Sequence, residues 1–202
     1  MFRRRTPFEI RPLRADDAPA LATLFAEFQA AFGQPARPFT AEVIRRDGFG
    51  DRPHFQGLLV WPATAGGGGL HSEGAHSDDS GDDADNGGDA RQAGGGPAGF
   101  LLWTAGYDTD LACHGAYVLD LYVAPPWRRR GMARAMLARL AANVRDAGGG
   151  FLFWGTDMRN RPAVNLYERI ATPQTGVSLF ACDGDAFLRL AGEGRRHGGG
   201  AP

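Results

Sequence analysis

The chain has 202 residues, enough for one domain of ordinary size with some excess. Hydrophobic residues make up 43% and charged residues 22%, a balance that supports a buried core and argues against a wholly disordered chain. The net charge of -1 supplies no field to attract nucleic acid or an anionic membrane surface.

No apolar run approaches the roughly 20 residues that span a bilayer. The start, Met1 to Ile10, is basic but lacks the apolar stretch of a signal peptide. Cys113 and Cys182 lie far apart with no CxxC spacing, so nothing argues for an oxidising compartment. These features predict a soluble, cytoplasmic protein with no membrane and no nucleic-acid partner. They leave a homodimer open.

Phe8 to Leu13 reads as a first strand. Asp16 or Asp17 can cap a following helix with Pro19 in its first turn, along which Leu21, Leu24, Phe25, Phe28 and Phe32 recur at helical spacing. A short helix is expected over Thr40–Arg46. Phe55–Trp61 and Ala98–Thr104 read as two strands of one hairpin. Between them, residues 62–97 are mostly Gly, Asp, Ser, His and Ala, with Leu70 the only large apolar residue. Such a segment buries too little to offset the entropy of ordering, and closure entropy grows only logarithmically with length. It is expected to be a disordered insertion in the hairpin turn. His71 and His76 within it read as solvated, and no metal site is expected.

Tyr117–Ala124 is a strand with apolar residues on both faces, as in a central sheet position. Ala133, Leu137, Leu140 and Val144 mark a helix that stops at Gly148–Gly150. Phe151–Thr156 is a strand, Pro162–Ile170 a helix, Val177–Cys182 a last strand, and Asp185–Ala191 a short helix. The order is α/β, one domain over residues 7–192 built on a central mixed, mostly antiparallel sheet flanked by helices. Residues 193–202 read as a disordered Gly-rich tail.

The segment Ala124-Pro-Pro-Trp-Arg128-Arg-Arg-Gly131-Met132-Ala133 joins a strand to a helix. A helix N-terminus offers unpaired N–H groups and partial positive charge. Gly131 and Ala133 leave room for close approach of a ligand, and Arg128, Arg129 and Arg130 add phosphate donors. Read alone, the same residues form a charged, solvated turn. The pattern is neither GxxxxGK[ST] nor GxGxxG. Arg-x-x-Gly-x-Ala after Leu121-Tyr122-Val123-Ala-Pro125 resembles the phosphate loop of the GNAT superfamily of acyl-CoA-dependent N-acetyltransferases. The resemblance implies a GNAT fold with acetyl-CoA as co-substrate. It also implies that the backbone of Arg129 to Ala133 cradles the diphosphate, while Leu121 and Val123 present backbone groups to the pantetheine and acetyl carbonyl beside Tyr122.

Asn160-Arg-Pro-Ala163-Val-Asn-Leu166-Tyr167 resembles the second signature of the same family. There the Asn lies near the cofactor with the Ala, and the Tyr protonates the departing thiolate. A phenol of pKa near ~10 can supply that proton. From periodicity alone Tyr167 reads as a core aromatic. Asp120 is the one carboxylate inside the Tyr117–Val123 strand. It is a candidate to take a proton from the attacking amine or to grip a cationic one, or else a structural Asp bonded to local backbone.

The strand Val118-Leu119-Asp120-Leu121-Tyr122-Val123 is similar to that of the diamine and thialysine acetyltransferase branch, as is Leu179 to Ala191. Leu119 replaces that branch's Glu, a proposed base. The implied reaction is acetyl transfer to a primary amine of a small molecule or peptide. The alternative is a non-catalytic GNAT-like module that binds CoA or a protein.

Overall fold

The computed structural model describes residues 8–33, 35, 38–63 and 95–197, with backbone only for 195–197. Most of the insertion, residues 64–94, lies outside this range, with His71 and His76, as does the tail from residue 198. The chain divides into two compact units, Met1–Gly155 and Thr156–Pro202.

The first unit is built on β1 (Phe8–Pro12), β2 (Gln56–Pro62), β3 (Gly99–Asp108), β4 (Cys113–Val123) and β5 (Phe151–Phe153). They lie side by side in sequence order. The first three pairings are antiparallel, and β4 with β5 is parallel. The helices are α1 (Ala18–Ala31), α2 (Ala41–Gly48) and α3 (Met132–Asp146). The β2–β3 hairpin embraces the insertion, as expected from the composition of residues 62–97.

α1 and α2 cover one face of the sheet. Leu21 and Leu24 of α1, Ile44 of α2, and Leu59, Phe100, Leu102 and Tyr122 of the sheet form a single buried cluster. Each fully buried Leu or Phe contributes about 2 kcal/mol by removal from water. By strand alternation Leu58, Val60 and Leu101 face the other way, the side on which α3 runs along β1 to β4 and buries Met136 and Leu140. Gly99 lets β3 and β4 pack closely, since a Cβ there would collide with the Tyr122 carbonyl oxygen.

Asp17 stands at the N-cap position of α1, but its carboxylate does not cap the helix. It takes two hydrogen bonds from the Arg11 guanidinium at 2.6 and 2.7 Å and one from the Arg14 N–H at 2.9 Å. The Arg11 bond, foremost, holds the Asp17 carboxyl below its ordinary pKa. A charged bidentate partner outcompetes a neutral helix N–H. Thr40 does cap α2, its hydroxyl accepting from the Val43 N–H at 3.3 Å.

The second unit holds α4 (Arg161–Tyr167) and α5 (Gly184–His197). The strand expected at Val177–Cys182 does not form: these residues join no ladder, and Leu179 and Phe180 are 90% and 94% exposed. An apolar run becomes a strand only when a neighbour completes its hydrogen bonds, and none among the described residues does so. The expected short helix at Asp185–Ala191 runs on to His197, into the segment read as a tail.

Candidate acyl-donor site

β4 changes character midway. Leu102 of β3 pairs with Asp120, but its neighbour Trp103 pairs with Val118. Leu119 is therefore an extra residue, a β-bulge, and is 51% exposed. On the opposite edge the ladder to β5 ends at Tyr117 and Phe153, just before the bulge. Beyond that point β4 has no strand beside it within the first unit.

The backbone of β4 points usefully at this open edge. The Ala124 N–H donates to the Ala98 carbonyl at 2.9 Å, so Ala124 faces β3. Alternation then turns the N–H and C=O groups of Val123 and Leu121 away from β3. Among the described residues neither N–H meets a backbone acceptor. Open N–H groups on a strand edge are a template for an extended amide-bearing ligand.

The turn that follows is closely built. Pro125–Trp127 make one turn of 3-10 helix, consistent with two consecutive prolines at its start. The Arg128 Nε–H donates to the Val123 carbonyl at 2.9 Å, and its guanidinium lies 5.7 Å from the centre of the Tyr122 ring. Arg130 sits 4.8 Å over the Trp127 ring. Arg129 has φ of 62° and Gly131 has φ of 83°, with Arg130 at negative φ between them. Alternating signs of φ turn successive N–H groups into one concavity.

α3 starts there. Its first α-type bond runs from the Ala135 N–H to the Gly131 carbonyl at 3.0 Å, which leaves the N–H groups of Gly131, Met132, Ala133 and Arg134 without helical acceptors. A Cβ on Gly131 would meet nothing within 4 Å, so the space above it is open to a ligand. All three arginines are exposed, and Met132 is buried. Strand edge, turn and helix N-terminus thus bring the backbone of Leu121, Tyr122 and Val123, the exposed arginines and the N–H groups of Gly131, Met132 and Ala133 into one continuous stretch of chain, with the Tyr122 and Met132 side chains buried beneath it. Its donors suit an anion at the helix end and an amide chain along the edge.

Asp120 lies two residues before Tyr122, on the sheet face that α1 and α2 cover. Its carboxylate makes no hydrogen bond or ion pair among the described residues, and burial pushes its pKa above the ordinary value. Asp120 therefore lacks the local backbone bond that a purely structural role would require.

In the second unit Asn160 caps α4, its Oδ1 accepting from the Ala163 N–H at 3.4 Å. Tyr167 ends that helix, and burial raises its pKa above the phenol value. The Leu119 bulge, the positive φ of Arg129 and the stacking of Arg130 on Trp127 emerge only in the structure. Only the last had a local signal, an arginine three residues after a tryptophan.

Comparison with known proteins agrees with this geometry. The acetyltransferase (GNAT) family matches residues 70–171. The chain is 34% identical over 101 residues to a thialysine N-epsilon-acetyltransferase of Caenorhabditis elegans, covering 48% of this chain and 62% of that one. It is 33% identical over 83 residues to the L-ornithine N5-acetyltransferase NATA1 of Arabidopsis thaliana, covering 41% and 34%. The match thus spans less than two thirds of either relative. Among solved structures, a ribosomal-protein-alanine N-acetyltransferase from Brucella melitensis biovar Abortus 2308 superposes with a TM-score of 0.61 at 19% identity, over 86% of this chain and 98% of that one. The fold is the GNAT fold, and the chain belongs to the acetyltransferase (GNAT) family.

Proposed function

We propose that the protein transfers an acetyl group from acetyl-CoA to a primary amine of a small molecule or peptide. The observation that carries this reading is the open β4 edge at Leu121 and Val123, running without interruption into the N–H-rich turn at Arg128–Ala133. An acyl-CoA has the matching order of groups: a thioester, an amide-bearing arm and a diphosphate. The edge suits the arm, the turn and α3 N-terminus suit the diphosphate, and the arginines add charge.

In this reading the amine nitrogen attacks the thioester carbonyl carbon. The C–N bond forms, the C–S bond breaks, and the sulfur leaves as a thiolate. Asp120, or a water it activates, takes the proton lost by the amine. The rise in its pKa brings it nearer the proton affinity such a base needs. Tyr167, kept protonated by burial, gives its proton to the thiolate. Backbone N–H groups of β4 polarise the thioester carbonyl. Asn160 and Ala163 take the cofactor-side role that the family pattern gives them. No metal enters the reaction.

We place the activity in the cytoplasm, with no membrane or nucleic-acid partner. No helix among the described residues is long and apolar enough to cross a membrane. Thiol release from acetyl-CoA against a panel of diamines, amino acids, arylalkylamines and peptides tests the reading. Release with at least one amine is expected. Tight CoA binding with no release on any member would replace it with a non-catalytic binding module.

A further inference from the structure

β4 and β5 part at one rung. Tyr117 and Phe153 are the last partners of their parallel ladder, and the open edge of β4 begins beyond them. Their rings stack, 5.9 Å apart and 25° from parallel. Phe151 completes the group, 5.6 Å from Tyr117 and 5.1 Å from Phe153. Tyr117 is 38% exposed, so its ring still borders open space.

Two glycines decide where the Tyr117 ring lies. Gly106 of β3 and Gly115 of β4 stand opposite each other, on the sheet face that carries Tyr117 and Phe151. A Cβ on Gly106 would overlap the Tyr117 ring, and one on Gly115 would overlap Phe151. The Tyr117 ring therefore lies back over bare backbone, toward the start of β4 and away from the open edge. The bulge adds a second relationship. Its extra residue, Leu119, puts Tyr117 and Asp120 on one face although they stand three positions apart. The rung and the candidate base address the same side of the sheet.

The length of the donor arm brings its reacting end to this place. From diphosphate to sulfur the arm of an acyl-CoA is about twelve bonds long, the reach of roughly four extended residues. Laid along β4 from Val123, with the diphosphate at the turn, it sets the thioester level with Leu119. At most about 6 Å of edge, two residues' rise, then separates the thioester from the Tyr117 rung. Past the rung the ladder hydrogen bonds close β4 onto β5, and an acyl chain has no path between them.

We infer that the Tyr117–Phe153 rung is the acyl-length stop of the donor site, admitting acetyl and propionyl groups and excluding longer chains. Gly106 is a positioning residue, since it sets how far back the Tyr117 ring lies. The inference rests on the acyl-CoA reading of the β4 edge.

Isothermal titration of the full chain with acetyl-CoA and hexanoyl-CoA tests it. The wild type should bind hexanoyl-CoA at least about tenfold more weakly, the discrimination that one misplaced methylene can give. Phe153→Ala should erase most of that difference, and Tyr117→Ala should do the same if the first variant folds poorly. Gly106→Ala pushes the Tyr117 ring toward the edge and should weaken propionyl-CoA relative to acetyl-CoA, an effect that a merely structural glycine would not have. Each readout is a ratio within one protein, so a loss of folded material does not imitate it. Equal dissociation constants in the wild type, or a difference that survives in both ring variants, would overturn the stop; thiol release with an amine would then leave acetyl transfer standing. The expected ratios without release on any amine would support the stop and end the acetyltransferase reading. Binding of neither donor sinks both.

Discussion

Arg128 and Val123 are joined by a hydrogen bond of 2.9 Å from the guanidinium Nε–H to the strand carbonyl. The bond spans the turn and fixes the first arginine of the loop to the last residue of β4. It thereby couples the two halves of the candidate acyl-donor surface, the strand edge and the helix N-terminus.

The first prediction follows from that bond. Arg128→Ala removes one charge from the surface and frees the turn. We expect KM for acetyl-CoA to rise roughly tenfold, the size of one charge-assisted hydrogen bond, with kcat little changed. Arg128→Lys should recover only part of the loss, because a lysine cannot offer a planar fork to both the carbonyl and a phosphate. Steady-state kinetics over an acetyl-CoA series reads both variants. An unchanged KM in Arg128→Ala would remove this residue from the site.

Gly131 carries the second. Its φ of 83° is disfavoured for any residue with a Cβ, while no atom obstructs the space a Cβ would fill. The cost of Gly131→Ala is therefore conformational, about 1 kcal/mol, visible as a lower urea midpoint at unchanged slope. Arg129 shows the reverse case. It already holds a φ of 62° with a side chain present, so Arg129→Gly should not weaken the fold. A loss of stability in Arg129→Gly would mean that the arginine side chain, not the turn geometry, holds the loop.

The third prediction concerns pH. Burial raises the pKa of Asp120, so the folded chain binds this proton more tightly than the unfolded chain does. The resulting stability is fully present below the unfolded pKa and is lost as pH rises through the folded one. Asp120→Asn should accordingly match the wild type at about pH 3 and exceed it at about pH 8 in urea melts. If Asp120 is also the base, the same variant loses the acidic limb of its kcat/KM profile. Stability that falls with the substitution at the higher pH would show that the carboxylate has a favourable partner when folded.

Tyr167 supplies the fourth. Its raised pKa keeps the phenol protonated across the working range. Tyr167→Phe should lower kcat roughly hundredfold, the usual worth of a positioned general acid, and leave acetyl-CoA binding close to wild type. In the wild type, the alkaline limb of kcat should fall above the ordinary phenol value. Turnover unchanged in Tyr167→Phe would leave it a packing residue.

The strand, turn and helix start that build the candidate acyl-donor surface were legible in the sequence because they are local. A strand, two prolines, three arginines and Gly131 lie within a dozen positions, and each acts through backbone it shares with its neighbours. The buried face of α1 was legible for the same reason, since Leu21 and Leu24 need only helical spacing. What escaped depends on distant partners. Leu119 becomes a bulge only because Leu102 and Trp103 pair on either side of it. Asp17 turns from the helix because Arg11, one strand earlier, competes for it. Val177–Cys182 has the pattern of a strand without a neighbour to complete it.

The end of the β4–β5 ladder at Tyr117 and Phe153 has a consequence for handling and for physiology. A strand edge left open inside a sheet can recruit another chain, so association through this part of β4 is an expected hazard of the fold. A ligand lying along that edge both satisfies it and guards it. Because such a ligand binds only the folded form, it adds stability by mass action, about 2.7 kcal/mol at a hundred times its dissociation constant. The amount of folded, soluble protein would then track the supply of its own acyl donor.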